Sequence, residues 1–81
     1  MTDSAIAVRL VNALEAAADR EAGAKTALVS VTIDMIAPAD AGQIVASLTR
    51  KTRTLVFMSA EFVSDAGAKI AMASSVHKVP G

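Results

Sequence analysis

The chain has no cysteine, no tryptophan and no tyrosine, and its only aromatics are Phe57 and Phe62. Without cysteine there are no disulfides and no thiolate metal sites. With a single histidine, His77, a usual zinc ligand set cannot be assembled either. The scarcity of aromatics removes the side chains that bury most surface per residue. Alanine and branched aliphatics must fill the core instead. There is no excess of either charge, eight cations standing against eight acids. That balance argues against a nucleic-acid partner held by bulk electrostatics. No apolar run approaches the roughly 20 residues a helix needs to cross a bilayer. Met1-Thr2-Asp3-Ser4 lacks the basic start of a secretory signal. A cytoplasmic protein with no membrane partner is the expectation. The four glycines stand apart at 23, 42, 67 and 81, so no phosphate-loop or dinucleotide fingerprint is present.

What is present is an apolar and short chain: 81 residues, 53% hydrophobic and 20% charged. This length makes one domain at most, residues 1–81. A domain of this size buries only about 60% of its unfolded surface. Lacking a covalent staple, such a chain is expected to complete its core across an interface, as a homodimer or higher homo-oligomer.

The charges are unevenly spread. Residues 1–49 carry Arg9, Arg20 and Lys25 against Asp3, Glu15, Asp19, Glu21, Asp34 and Asp40. Residues 50–81 carry Arg50, Lys51, Arg53, Lys69 and Lys78 against Glu61 and Asp65. This asymmetry suits a head-to-tail partner or an anionic ligand on the basic half. It also arises by chance in short chains.

Thr2, Asp3 and Ser4 all have side-chain oxygens that can accept an orphan N–H at a helix start. Ile6, Leu10, Ala13, Leu14 and Ala17 then recur on one helical face, with Val8 and Val11 opposite. The spacing predicts a helix over about residues 3–22, apolar nearly all round in its first three turns, as a buried helix is. Gly23 suits its C-cap. The period then changes to two. Val29, Val31, Ile33 and Met35 alternate with Ser30, Thr32 and Asp34. Strands are expected over about 26–37, 43–52, 54–63 and 68–79. Asp40-Ala41-Gly42 and Asp65-Ala66-Gly67 mark turns. In the last strand Ile70, Met72, Ser74 and Val76 share one face, which leaves His77 on the polar side. Short links favour antiparallel neighbours. The expectation is an α+β fold, one helix packed on a four-stranded antiparallel sheet.

Three segments carry a family resemblance. They are Val31-Thr32-Ile33-Asp34-Met35-Ile36-Ala37-Pro38-Ala39 with Gly42 behind it, the basic hairpin Arg50-Lys51-Thr52-Arg53, and Val63-Ser64-Asp65-Ala66-Gly67-Ala68-Lys69-Ile70-Ala71. Together they resemble the PaaI-like acyl-CoA thioesterases, and the likeness runs over about residues 5–79. The resemblance implies a hot-dog fold, with the sheet as the bun around a central helix. It also implies an acyl-CoA or related acyl-thioester ligand, a hydrolase activity and no cofactor. Members of that family usually carry a further N-terminal strand and a His-Gly loop before the helix. Here Asp3-Ser4-Ala5 falls at the loop position, so the chain is expected to lack both. The family's helix carboxylate falls on Asn12 by ungapped count, and Glu15 stands one turn further on.

Thioester hydrolysis needs a polarised carbonyl, an activated water or nucleophile, and a slot for the acyl chain. The helix start supplies the first, since its free N–H groups and positive dipole end can hold an oxyanion. Those donors would be the backbone N–H groups of Ser4, Ala5 or Ile6; alternatively Asp3 or Ser4 simply caps them. Asn12 has no basic group and can only orient a water or a carbonyl, or satisfy a polar spot at a dimer seam. Glu15 is either a carboxylate raised in pKa by burial or a solvated acid. Asp34 reads as exposed or paired. Arg50, Lys51 and Arg53 suit the phosphates of coenzyme A, or form a solvated hairpin that discourages sheet-edge pairing. His77 reads as a surface residue. The chain is thus expected to hydrolyse or bind acyl thioesters, the alternative being a non-catalytic hot-dog module for dimerisation or acyl-thioester binding.

Overall fold

The computed structural model describes residues 1–38 and 41–80. Its elements in chain order are α1 (Asp3–Ala22), β1 (Ala27–Met35), β2 (Gly42–Lys51), β3 (Leu55–Ser64) and β4 (Lys69–Lys78). The helix lies on one face of a four-stranded antiparallel sheet, as the α+β expectation requires.

Both helix ends are chemically marked. Thr2 is the N-cap, its hydroxyl accepting from the Ala5 N–H at 3.1 Å. Gly23 closes the other end with φ of 67°, a left-handed conformation a side chain would strain. Asp19 then ties the helix to the sheet. Its carboxylate accepts from the Thr26 N–H at 2.8 Å and the Thr26 hydroxyl at 2.7 Å. These bonds, the backbone one foremost, hold the Asp19 carboxyl below its usual 3.8.

The sheet order is β1-β4-β3-β2. Short links were expected to join neighbours, and two of the three do. β1 and β2, however, lie at opposite edges, so their link crosses about 14 Å of sheet. The backbone N–H groups of Ile36 and Ala37 both donate to the carbonyl of Ile70 as that crossing starts. Asp40 of the first expected turn lies outside the described residues. Gly42, which ends that turn, opens β2 against β3. A side chain there would overlap the Val63 carbonyl and the Phe62 ring, so the close approach demands glycine.

The core joins Ile6, Leu10, Leu14, Ala17 and Ala18 of the helix to Val56, Met58, Ala60 and Phe62 of β3. Burying each of the larger side chains contributes about 1.5–3 kcal/mol. The face of β4 is the reverse of the one expected. Ala71, Ala73, Ser75 and His77 point at the helix, while Met72 and Ser74 are exposed on the other side. Ile70 is buried as well, next to the register shift at Phe62/Val63. The reason is size. Phe62, Met58 and Val56 pair across the ladder with Ala71, Ser75 and His77. At Phe62 and Met58 the bulky side chains of β3 leave room only for the smaller Ala71 and Ser75 beneath a helix packed this close, while His77 sits opposite the smaller Val56.

Two further expectations change. The helix buries one stripe and not its whole circumference, Val8 being 57% exposed. In β1, Val31 and Ile33 are half-buried but Val29 and Met35 are exposed. A bulge between Leu28 and Ser30 turns Val29 outward, and β1 is an edge strand that the helix barely touches.

Candidate functional site

The helix start is the most site-like feature in the protomer. Beside it lies a recess of about 260 Å³ lined by Asp3, Met35, Ile36, Ala37 and Pro38. Of the three expected oxyanion donors, the Ala5 N–H is taken by the hydroxyl of Thr2, which caps the helix in place of Asp3 or Ser4, and the Ile6 N–H by the Thr2 carbonyl at 3.1 Å. The Ser4 N–H is left without a partner among the described residues, and the Ser4 hydroxyl contacts Thr2 Oγ1 at 3.3 Å. An anion or polarised oxygen at this end would meet that N–H and the positive end of a 20-residue helix.

Asn12 and Glu15 are both exposed on the helix. At 1.5 Å per residue they stand about 12 and 16 Å along the axis from Ser4. Ser4, Val8, Val11 and Glu15 recur at i, i+4, i+7 and i+11, so they form one stripe. Its flank faces β1. Asp19, one turn beyond Glu15, bonds Thr26 at the start of β1, while Arg9 on the opposite flank lies over the Phe62 ring at 5.1 Å. Glu15 therefore shares a flank with the helix start across two exposed or half-exposed valines, whereas Asn12 is turned away from it. The gap is too long for Ser4 and Glu15 of one copy to meet on one carbonyl.

Arg50 and Lys51 end β2, and Arg53 lies in the turn after it. Lys51 Nζ donates to the carbonyl of Glu21 at 2.6 Å, at the C-terminal end of the helix where a cation is favoured. The hairpin is therefore about 30 Å from the Ser4 end, the length of the helix. One protomer does not bring the basic hairpin and the helix start together.

Two features were not anticipated. Six of the eight cations, Arg20, Lys25, Arg50, Lys51, Arg53 and Lys78, gather at the helix C-terminal end of the molecule. Asp19 and Glu21 are the acids in the last turns of the helix at that end. The other feature is His77, expected at the surface but fully buried. Its Nε2 lies 2.6 Å from the Ser75 hydroxyl, and its Nδ1 is buried without a partner. Burial pushes the imidazole below its usual 6.5, against the opposing pull of Glu15 and Asp19. The sequence did hold a signal for this. Ser75 and His77 continue the two-residue period of Ala71 and Ala73, so they share a face. No cluster of three acids or imidazoles fit for a metal occurs among the described residues. Nor is any described helix long and apolar enough to cross a membrane.

A helix laid along a four-stranded antiparallel sheet of order β1-β4-β3-β2 has close counterparts among solved structures. The whole chain superposes on 56% of a Bacillus halodurans protein whose crystal structure was determined with CoA, at a TM-score of 0.89 and 18% identity. This chain has a hot-dog fold. A second counterpart, a protein from the thioesterase superfamily, is matched over 99% of this chain and 62% of its own, at a TM-score of 0.85 and 12% identity. At such identities the likeness is one of fold. The hot-dog chain spans between half and two thirds of the length of either neighbour. No protein-family model and no curated protein sequence matches it.

Proposed function

We propose that this hot-dog chain binds acyl thioesters of the acyl-CoA type and hydrolyses them in an oligomer. The observation that carries the reading is the superposition of the full chain, at a TM-score of 0.89, on a structure determined with CoA. The helix start supports it, with the free Ser4 N–H next to a recess walled by Met35, Ile36 and Pro38. The thioester carbonyl would sit at that end and the apolar acyl chain in the recess. As the carbonyl becomes tetrahedral, the N–H and the helix dipole stabilise the developing charge. The attacking water is positioned or deprotonated by Glu15 of a second copy, because Glu15 of the same copy is out of reach, and it forms the new C–O bond. The tetrahedral species then collapses, the C–S bond breaks, and the CoA thiolate leaves and takes up the proton. Asn12 can orient that water but cannot take its proton. Arg50, Lys51 and Arg53 are proposed to hold the phosphates, and the opposite placement of that hairpin again calls for a second copy.

A second reading has its own support. The separation of Ser4 from Glu15, and the amide at Asn12, favour a module that binds an acyl thioester without cleaving it. Turnover of short, aromatic and long acyl-CoAs, with CoA affinity by calorimetry, tests both. Hydrolysis lost in Glu15→Gln with CoA binding retained supports catalysis. Binding without turnover in the unmodified chain selects the module. Neither binding nor turnover refutes both.

A further inference from the structure

The face of the sheet turned away from the helix carries chemistry that the thioester reading leaves unused. Alternation decides which residues reach it. Val56 and Met58 point at the helix, so Phe57 and Ser59 point outward, and the ladders bring Ser30, Thr32, Ser74 and Val76 out beside them. A recess of about 270 Å³ opens there. The half-buried Phe57 and Val76 form its floor, and the exposed Ser30, Thr32, Thr49 and Ser74 surround it.

The hydroxyls divide into two groups. Thr49 Oγ1 donates to Ser59 Oγ at 3.4 Å, and Ser59 in turn contacts Ser47 at 3.1 Å. The hydroxyls of Ser30, Thr32 and Ser74 have no partner among the described residues. Thr32 pairs with Ser74 across the β1–β4 ladder and Ser30 with Val76, so the free hydroxyls cluster on the β1 side of Phe57. Charge marks the two ends of this face. Lys78 stands two residues beyond Val76, about 7 Å further along β4 on the same face. Arg50 pairs with Phe57 from β2. Both cations are exposed, and neither forms an ion pair among the described residues. At the other end Asp34 and Glu61 flank Met72, one row beyond Thr32 and Ser74, and Lys69 pairs with Glu61 at 3.3 Å.

An apolar floor, free hydroxyls and unpaired cations at one end fit one kind of molecule. A sugar ring presents C–H groups on its faces and hydroxyls at its rim. The C–H face packs on Phe57 and Val76, and the rim meets serine and threonine hydroxyls that can both donate and accept. A phosphate monoester carries close to two negative charges at neutral pH and so matches a pair of cations, where a carboxylate would match one. The recess is smaller than the roughly 300–1,000 Å³ of drug-sized sites, which suits a single ring.

We propose that this outer face binds a phosphorylated monosaccharide, its ring over Phe57 against Ser30, Thr32 and Ser74 and its phosphate at Lys78 and Arg50. The direction is fixed by charge, since a phosphate turned toward Asp34 and Glu61 would be repelled. The recess lies across the sheet from the helix, so the inference does not rest on the thioester reading, although that reading also uses Arg50.

Calorimetric titration of the full chain with glucose 6-phosphate, ribose 5-phosphate, glucose and inorganic phosphate tests it. At least one sugar phosphate should bind about tenfold or more tightly than glucose or inorganic phosphate, because each of these lacks one set of contacts. Lys78→Ala should weaken that binding about tenfold or more, through loss of a charged hydrogen bond. Thr32→Val keeps the shape, removes one hydroxyl and should weaken it about two- to tenfold. Lys69→Ala, at the acidic end, should leave it unchanged. All three positions are exposed, so the fold is retained. No binding of either sugar phosphate at millimolar concentration overturns the proposal. So does inorganic phosphate binding as tightly as they do, or binding that survives both Lys78→Ala and Thr32→Val. An equal loss of CoA affinity in Thr32→Val would place the recess inside the thioester site and overturn it as well. A chain that binds a sugar phosphate as expected, yet neither binds nor hydrolyses acyl-CoA, removes the thioester reading and leaves this one standing.

Discussion

Replacing Ser75 by Ala together with His77 by Leu should stabilise this hot-dog chain and flatten its dependence on pH. In the native protein the pair shares one hydrogen bond of 2.6 Å, while His77 Nδ1 is buried with no partner. A buried polar atom left unpaired costs about 1–3 kcal/mol, and a hydrogen bond between neutral groups contributes about 0.5–1.5. The double substitution loses the second quantity and recovers the first. It also gains part of the roughly 1.5–3 kcal/mol that follows burial of a leucine-sized side chain, less any strain from its different shape. The balance is about 1–3 kcal/mol in favour of the variant. For a domain of this size, that is a rise in Tm of roughly 5–20 °C. The direction with pH follows from the same geometry. The folded imidazole titrates below 6.5, so the unfolded chain binds more protons between the two values. Stability from the neutral His77 is complete above about pH 6.5 and falls as pH drops through it. Thermal unfolding at pH 7.5 and 5.5, at one protein concentration, reads both effects. The native chain should lose Tm at pH 5.5 and the variant should lose much less. A variant less stable at pH 7.5, or one with the native pH dependence intact, would refute the reasoning.

Gly42→Ala should destabilise the fold by about 1–3 kcal/mol, because its methyl group meets the Val63 carbonyl and the Phe62 ring; denaturant unfolding checks it. Thr2→Ala should cost about 1 kcal/mol of stability by removing the N-cap, while releasing the Ala5 N–H for a bound oxygen. If that N–H serves as an oxyanion donor, CoA-thioester turnover should rise or hold as Tm falls. Asp19→Asn should loosen the join between helix and β1, seen as faster hydrogen exchange at Thr26. Because the Asp19 carboxyl titrates below 3.8, its contribution is complete above that value and disappears as pH falls further, so the unfolding curves of the native chain and of this variant should converge in acid.

Much of the protomer was legible residue by residue. The caps at Thr2 and Gly23, the stripe Ile6-Leu10-Leu14-Ala17, and the change of period after Lys25 are local signals, so the helix and strands could be read directly. The face of β4 was not legible in the same way. Its larger aliphatic set, Ile70, Met72 and Val76, competes with the smaller set Ala71, Ala73 and Ser75, and period alone cannot choose. The choice depends on Phe62, Met58 and Val56 across the ladder, which occupy the space under the helix. Once that face is chosen, the period of two carries His77 inward with Ser75. Ser4 and Ala5 were recognisable as the helix start, but which of the two N–H groups stays free depended on where the Thr2 hydroxyl points.

By itself, the sequence of this chain determined what could form locally and what could not form at all. It ruled out disulfides and thiolate metals and placed one helix before four strands. Only the tertiary structure decided where distant residues meet. A chain with no net charge became a molecule with a basic end, because antiparallel strands and one returning helix bring residues 20, 25, 50, 51, 53 and 78 to the same side. The same geometry puts the basic hairpin a helix length away from Ser4, although the family resemblance implies that both belong to one site. Spacing along the chain reports neighbours within an element. Distance between elements depends on sheet order, and the crossing from β1 to β2 set that order here.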